Sequence, residues 1–449
     1  MVERDGRDLA WGRAHPGGQE VLRPAWLEEA AALAADPDPL PRLGHGAGRS
    51  YGDEALSDGG RLIETTALDR FVAFDPATGR LTCEAGVLLH DILRQVRRWR
   101  GAEGGWWFPP VLPGTRFVTL GGAIANDVHG KNHHRRGTFG EHVVSLTLAR
   151  SDGSLATCSA EQNPELFRAT IGGLGLTGLI LEATLQLMPA PGLWLECEEI
   201  PMADLAGFFA LAEESEADWE YTAAWVDCRA SGRALGRGVF GRARPLPGGE
   251  APAPPELPRL AVPLAPPVSP LNRLTLGAFN ALYGRRPGLG RGRLRRLPYH
   301  RQLFPLDAVG GWNRLYGRAG FYQYQCVVPP PTARATIAAL LGAVAAAGEG
   351  SFLAVLKTFG ARAPAGLLSF PMPGATLALD FPNRGAKTLA LLDRLDALVL
   401  EAGGRVYFAK DGRQGAEAFR RSYPLWQEFR RWIDPRFASA LSRRLELTP

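Results

Sequence analysis

Two stretches of the chain are dense in glycine and small polar residues: GHGAGRSYGDEAL at 44–56 and LPGTRFVTLGGAIANDVHGKNHH at 112–134. Neither carries a sustained helical or strand-like period, so both must be largely loop. Gly44, Gly46 and Gly48 alternate, which lets the backbone come close to a ligand and lets N–H groups converge on one point. Such a nest binds anions, phosphate above all. The first stretch alone could be a tight turn. The second, equally small and polar, makes a pair that can clamp one diphosphate and its attached ring.

The chain has 449 residues, which predicts two domains or one domain split by an insertion. No apolar run approaches the ~20 residues of a membrane-spanning helix. The opening MVERDGRDLAWGR lacks the apolar core of a signal peptide. Five cysteines are scattered singly at 83, 158, 197, 228 and 326. That pattern suggests neither a zinc site nor a disulfide framework, and favours a reducing, cytosolic setting. The net charge is +5, and residues 285–301, RRPGLGRGRLRRLPYHR, hold seven arginines and no acid. This run is either a solvated loop or a surface that meets phosphate groups on lipid or substrate. No nucleic-acid motif accompanies it, so no nucleic-acid partner is expected.

Helices are expected at 27–35, at the end of 80–99, at 163–173 (capped at its start and ended by glycine), 334–348 and 387–403. Strands are expected at the start of 80–99, twice within 143–159, and at 351–360, 375–381 and 405–411. Residues 243–270, rich in Pro and Ala, read as an exposed connection that need not be ordered. The order implies an α+β protein with a sheet covered by helices on one face.

GGLGLTG at 172–178 contains GxGxxG. A dinucleotide fingerprint must follow a strand and open a helix. Here it follows a helix and precedes the strand-like LILEATLQL, so a nicotinamide-binding Rossmann unit is rejected. His129, His133 and His134 have no partner carboxylate nearby, Asp127 pointing elsewhere if this is a loop, and no metal is expected. Asn132 and Lys131 read as polar contacts to a ligand. In RVYFAKDGR a strand would put Lys410 on one face with Phe408. If that face lines a pocket, the amine is partly desolvated and can hold an anion or assist proton removal. The alternative is a strand-end lysine in water.

GRSYGD, PGTRFVTLGGAIANDVHGKNHH and GGLGLTGLI, in that order, resemble the vanillyl-alcohol oxidase (PCMH-type) FAD flavoenzymes. HGKNHHRRGTFGEHV, WNRLYGRAGFYQYQCVVP, VLKTFG, LALDFP, VYFAKDGR and SRRLEL resemble, more narrowly, the decaprenylphosphoryl-β-D-ribose 2′-oxidase family within them. The resemblance runs from about Trp11 to the end. It implies a two-part FAD domain, 1–188 and 405–449, with a substrate domain at 189–404 inserted between. The insert would be built on an antiparallel sheet and carry a Pro/Arg-rich loop at about 243–301.

The resemblance also implies residue roles. The pyrophosphate loop would be Gly44, His45, Gly46, Ala47, Gly48, Arg49, Ser50, Tyr51, Gly52, Asp53 and Glu54. Gly114, Thr119, Leu120, Gly121, Gly122, Asn126, Asp127, Val128 and His129 would line the flavin, with Ile180 and Tyr407. Arg49 stands where some relatives tether flavin through histidine, so dissociable FAD is expected. The substrate face would include Lys131, Gln323, Gln325, Lys357, Ala378, Asp380 and Lys410, with Tyr51 and His129 beside Lys410 at the reacting hydroxyl. The implied reaction oxidises the 2′-hydroxyl of a polyprenylphosphoryl ribose, with hydride passing to flavin N5. A quinone or other acceptor would reoxidise the flavin. A separate NADH-dependent reductase would complete epimerisation to the arabinosyl lipid, an arabinan precursor for the cell wall. An insoluble substrate implies a peripheral enzyme at the inner face of the plasma membrane. The departure is Ala378, where family members carry cysteine. The alternative is an oxidase of a free alditol, sugar or aldonolactone on the same fold.

Overall fold

Period-two alternation decides which face of the largest sheet is chemical. In the strand Phe321–Val328, Tyr322, Tyr324, Cys326 and Val328 pack into one apolar cluster, while Gln323 and Gln325 line a cavity. In Gly374–Pro382, Ala375, Leu377, Leu379 and Phe381 join the same cluster, while Thr376 and Ala378 line the cavity. Neighbouring side chains on a strand leave opposite faces, so one sheet can be apolar behind and polar in front.

The computed structural model describes residues 2–101, 104–258, 260–267 and 269–448. These two strands belong to an eight-stranded antiparallel sheet. Its order is Arg295–Pro298, Trp194–Met202, Gly238–Leu246, Tyr221–Val226, Val355–Phe359, Gly374–Pro382, Phe321–Val328 and Arg405–Val406. Helices Leu205–Ser215, Pro330–Ala346 and Ala386–Glu401 cover its apolar face and bury Phe208, Ile337, Leu340, Leu395 and Val399. Each such side chain contributes roughly 1.5–3 kcal/mol by leaving water. The expected helix-covered sheet is present.

Two smaller sheets carry the glycine-rich loops. In the first, Arg42–His45 and Gly18–Leu22 flank Arg61–Glu64 in parallel, and Val2–Asp5 adds an antiparallel edge. The 44–56 loop leaves the end of Arg42–His45. In the second, Phe71–Asp75, Arg80–Glu84, Leu179–Gln186, Val143–Ala149 and Leu155–Ser159 are antiparallel in that order. Helix Leu120–Ala125, inside the second loop, buries Leu120, Ala123 and Ile124 in the same core. The Thr119 side chain caps it by accepting from the Gly122 N–H at 3.1 Å. Residues 172–178 turn from helix Pro164–Thr170 into strand Leu179–Gln186, the reverse of a dinucleotide fingerprint.

Three expectations change. The 405–411 strand stops at Val406, and the chain turns over 408–410. Phe408 therefore packs on Phe419 and Tyr423 while Lys410 enters the cavity, so the two do not share a strand face. Asn163 stands before its helix without a capping bond and donates to the Thr157 carbonyl instead. The Pro/Arg-rich region is no plain loop, because it holds helix Arg273–Tyr283 and strand Arg295–Pro298, and Leu260–Ala261 pairs with Val309–Gly310.

Candidate active site

The two glycine-rich loops meet at one point. A Cβ on Gly46 would lie 2.4 Å from Thr119 Oγ1, so only glycine permits this approach. Beyond that contact opens a cavity of about 790 Å³. Residues 44–51 and Glu54 form one wall, and Gly114, Thr119, Gly122, Asn126, Val128 and His129 another. Lys131, Gln323, Gln325, Lys357, Ala378, Tyr407 and Lys410 close the opposite side. Loops from the small sheets and the polar face of the large sheet thus enclose one space.

Lys410 Nζ donates to Gln323 Oε1, and Gln323 Nε2 donates to Asp380 Oδ1 at 2.5 Å. Tyr316 donates to the other Asp380 oxygen at 3.2 Å. The Lys410 ammonium also lies 4.5 Å from the Tyr51 ring centroid. Lys357 Nζ donates to the Gly130 carbonyl at 3.0 Å, and Lys131 Nζ to the Gln302 carbonyl at 2.7 Å. Burial pushes Lys357 down to about 7, helped by the like charges of Lys410 and Lys131. Burial brings Lys131 to about 8. It also lowers Lys410, against the opposing pull of Asp380 and Glu54. Burial raises Asp380, and Gln323 and Lys410 counter it. These amines titrate far nearer neutrality than a lysine in water.

His129 Nε2 lies 3.0 Å from Gln325 Nε2, which can only donate, so the histidine accepts there and its proton sits on Nδ1. Its ring packs among Phe359, Phe370 and Tyr407. Burial, then Lys357, His133 and Lys410, holds its pKa well below the usual histidine value, so it is neutral.

Eight expected site residues do not line the cavity. Gly52 faces the chain at Asp411, where a Cβ would lie 1.6 Å from the carbonyl oxygen. Asp53 is held by Arg444 at 2.7 and 2.9 Å. Leu120 is core, and Gly121 packs on Ala85. Asp127 accepts from the Gly140 N–H at 2.7 Å and from Ser369 at 2.5 Å, bracing the loop from behind. Ile180 is a buried strand residue opposite Leu148. Asp380 acts at one remove, through Gln323. His133 and His134 turn to Phe359 and to the Trp219 carbonyl. Asn132 is fully buried and bonds Pro110 and Glu220 rather than a ligand.

Trp11, Thr376 and Trp312 line the cavity without having been anticipated. Thr376 was findable, since it alternates with Ala375 and Leu377 as Gln325 alternates with Tyr324 and Cys326. Trp11 and Trp312, edge to face at 5.7 Å, come from distant segments with no local signal.

The cavity suits FAD. Its walls hold an open cradle at Gly114, where a Cβ would meet nothing within 4 Å. The Asn126 side-chain oxygen and His129 Nδ1 are buried with no hydrogen-bond partner, as expected where a polar ligand completes the set. Arg49 lies over the Trp11 ring at 4.5 Å, and His45 Nδ1 lies 3.0 Å from the Ala55 carbonyl.

Fold and cavity together define an FAD-binding oxidoreductase. Residues 21–159 match the FAD binding domain family. The chain is 37% identical to the decaprenylphosphoryl-β-D-ribose oxidase of Mycolicibacterium smegmatis, over 98% of this chain and 97% of that protein. It is 38% identical to an uncharacterized protein of Streptomyces coelicolor, over 76% of this chain and 96% of the other. It is 33% identical to the L-gulonolactone oxidase of Mus musculus, over 32% of this chain and 31% of that enzyme. The chain belongs to the decaprenylphosphoryl-β-D-ribose oxidase family of PCMH-type flavoenzymes, and is an oxidoreductase acting on a CH–OH group.

Proposed function

We propose that the protein oxidises the 2′-hydroxyl of a polyprenylphosphoryl-β-D-ribose to the 2′-keto sugar, the first half of an epimerisation to the arabinosyl lipid. The observation that carries this reading is the trio of Lys131, Lys357 and Lys410, buried around one cavity that also holds the glycine-rich loops. Buried cations are costly without a partner, so the arrangement calls for an anionic ligand. A sugar phosphate meets that demand.

FAD, held without a covalent bond by residues 44–51, Gly114, Thr119, Asn126 and Tyr407, supplies the hydride acceptor when bound. Lys410 assists at the reacting hydroxyl. Its lowered pKa keeps a share of free amine near neutrality, and the Gln323–Asp380 chain fixes where its lone pair points. Tyr51 stacks against that amine and shields it from water. Neutral His129 offers Nδ1–H to a polar group of the ligands. Lys357 and Lys131 hold the phosphate or sugar.

Residues 1–188 and 405–449 form the flavin part and 189–404 the substrate part of this reading, although Arg405–Val406 lends the substrate sheet its last strand. A quinone or similar acceptor, a separate NADH-dependent keto-sugar reductase and a peripheral position at the inner face of the plasma membrane complete it. Among the described residues no helix is long and apolar enough to cross a membrane. The test is anaerobic. A short-tailed prenylphosphoryl ribose should bleach the flavin band, with xylitol and free ribose inert. Bleaching by the free polyols instead would move the protein to alditol or lactone chemistry.

A further inference from the structure

Helix Arg273–Tyr283 buries only one of its three leucines, Leu276, and turns the other two outward. It buries Asn280, whose Nδ2 donates to Asp227 Oδ1 at 2.6 Å, while Leu274 and Leu282 stand 83% and 76% exposed. Ala278, Phe279 and Ala281 are exposed beside them. Positions 274, 278, 281 and 282 fall at i, i+4, i+7 and i+8, one stripe of a helix. A surface helix of a soluble protein aims such a stripe at the core. Here it faces outward, at the rim of the substrate cavity. Phe279 stacks on Tyr283 at 5.4 Å, Tyr283 packs edge to face on Trp225 at 4.9 Å, and the last two line the cavity. Across the cavity, Leu257 and Pro258 also line it, and Leu260 and Leu264 beyond them are 68% and 79% exposed.

The arginine run divides. Arg286 and Arg295 pair with Glu199, Arg291 pairs with Glu214, and Arg296 lies over Trp194. These four are tied into the fold. Arg285, Arg293 and Arg301 of the run, and Arg273 before it, are exposed, and among the described residues no carboxylate lies within ion-pair distance of them. Free cations at both ends of an outward apolar helix complement a surface that is anionic outside and apolar within. Eleven residues reach only about 16 Å, half a bilayer's hydrocarbon core, so the helix can lie in a membrane surface but not span it.

We propose that Arg273–Tyr283 docks in the headgroup region of an anionic membrane with its Leu274–Ala278–Leu282 stripe in the acyl layer, leading the substrate's tail past Phe279 and Tyr283 into the cavity. The proposal rests on the lipid-sugar reading above and names the surface that serves it. Apolar insertion carries the binding, and the arginine run contributes only through its free members.

The five native cysteines are buried. In the full-length holoenzyme, Ala278→Cys therefore gives one accessible thiol for an environment-sensitive fluorophore. Vesicles of phosphatidylcholine and phosphatidylglycerol at about three to one, without substrate, should shift its emission to the blue and float the protein. Leu274→Gln/Leu282→Gln alters neither cavity wall nor core. It should cut vesicle partitioning about tenfold or more while flavin absorbance and turnover of a short-tailed substrate stay unchanged. Equal flotation of that double variant would overturn the proposal. So would a blue shift that appears without vesicles and grows with protein concentration, which would assign the face to a second copy. Because the vesicle arm holds no substrate, its failure leaves the oxidation standing. Vesicle binding without oxidation of prenylphosphoryl ribose would remove the substrate reading instead.

Discussion

At the scale of single residues, the buried lysines set pH dependence in two opposite senses. Lys357 titrates near 7 in the fold, below its ordinary value near 10.5. Between those limits the unfolded chain holds a proton that the folded chain has released, so stability from this group rises with pH across the window. Below pH about 7 the full burial penalty is present. Lys357→Met should therefore stabilise the protein by about 1–3 kcal/mol at neutral pH, seen as a raised Tm. Substrate runs the other way. An anion needs the ammonium, so KM for a prenylphosphoryl sugar should climb above pH 7 and the Met variant should lose that climb. A flat wild-type profile would remove Lys357 from the phosphate. Lys410→Ala tests chemistry rather than charge. Flavin reduction by substrate should slow about 10²-fold or more in stopped flow, with FAD still bound.

At the scale of elements, the 44–56 loop and the turn after Val406 are locked together. Gly52 lies against the Asp411 carbonyl, and Arg444, from the C-terminal helix Ala440–Arg444, bonds both Asp53 and Asp411. Asp53 and Asp411 are buried. Arg444→Ala strands Asp53 and leaves Asp411 only its backbone donors from Arg413 and Gln414, and should cost roughly 3 kcal/mol, measured as a lower Tm. The purified variant should also carry less FAD, because its flavin loop loses its brace. Gly52→Ala should do the same by pushing the Lys410 turn away, and full FAD content in either variant would deny the link. This level also shows what local sequence could and could not say. The glycine loops, the helices at 334–348 and 387–403 and the strand at 375–381 were legible because each writes its own period or its own breakers. The turn at 408–410 was not. RVYFAK alternates well enough for a strand, and only tertiary packing of Phe408 on Phe419 and Tyr423 bends it. Asp53, Gly52 and Asp127 were placed at the flavin by position in their motifs. Their side chains or Cα atoms face Arg444, Asp411 and Ser369, partners far off in the chain that no local pattern announces.

At the scale of the whole molecule, Arg116 ties the 112–134 loop to segments that border the cavity. It sits in the 112–134 loop with its side chain 3% exposed. Its backbone N–H donates to Asp307 Oδ2 at 3.0 Å, Nε to His90 Nδ1 at 3.0 Å, and Nη2 to the Pro255 carbonyl at 3.1 Å. Burial, then Arg116 itself, brings His90 down to about 4, so a neutral imidazole accepts that bond throughout the physiological range. Asp307 and the adjoining segments 256–258 and 305–311 border the cavity, but Arg116 does not line it. Arg116→Met should thus leave flavin binding intact and loosen the cavity's outer wall. Three consequences are expected together: protease cuts near 252–258 that the parent resists, a KM for lipid substrate raised several-fold, and an unchanged FAD content. Limited proteolysis read by mass spectrometry, with substrate present and absent, separates this from general unfolding. Cuts confined to that segment and suppressed by substrate fit a hinged wall. Cuts scattered through the sheets would mean that Arg116 holds up the fold as a whole rather than the wall of one cavity.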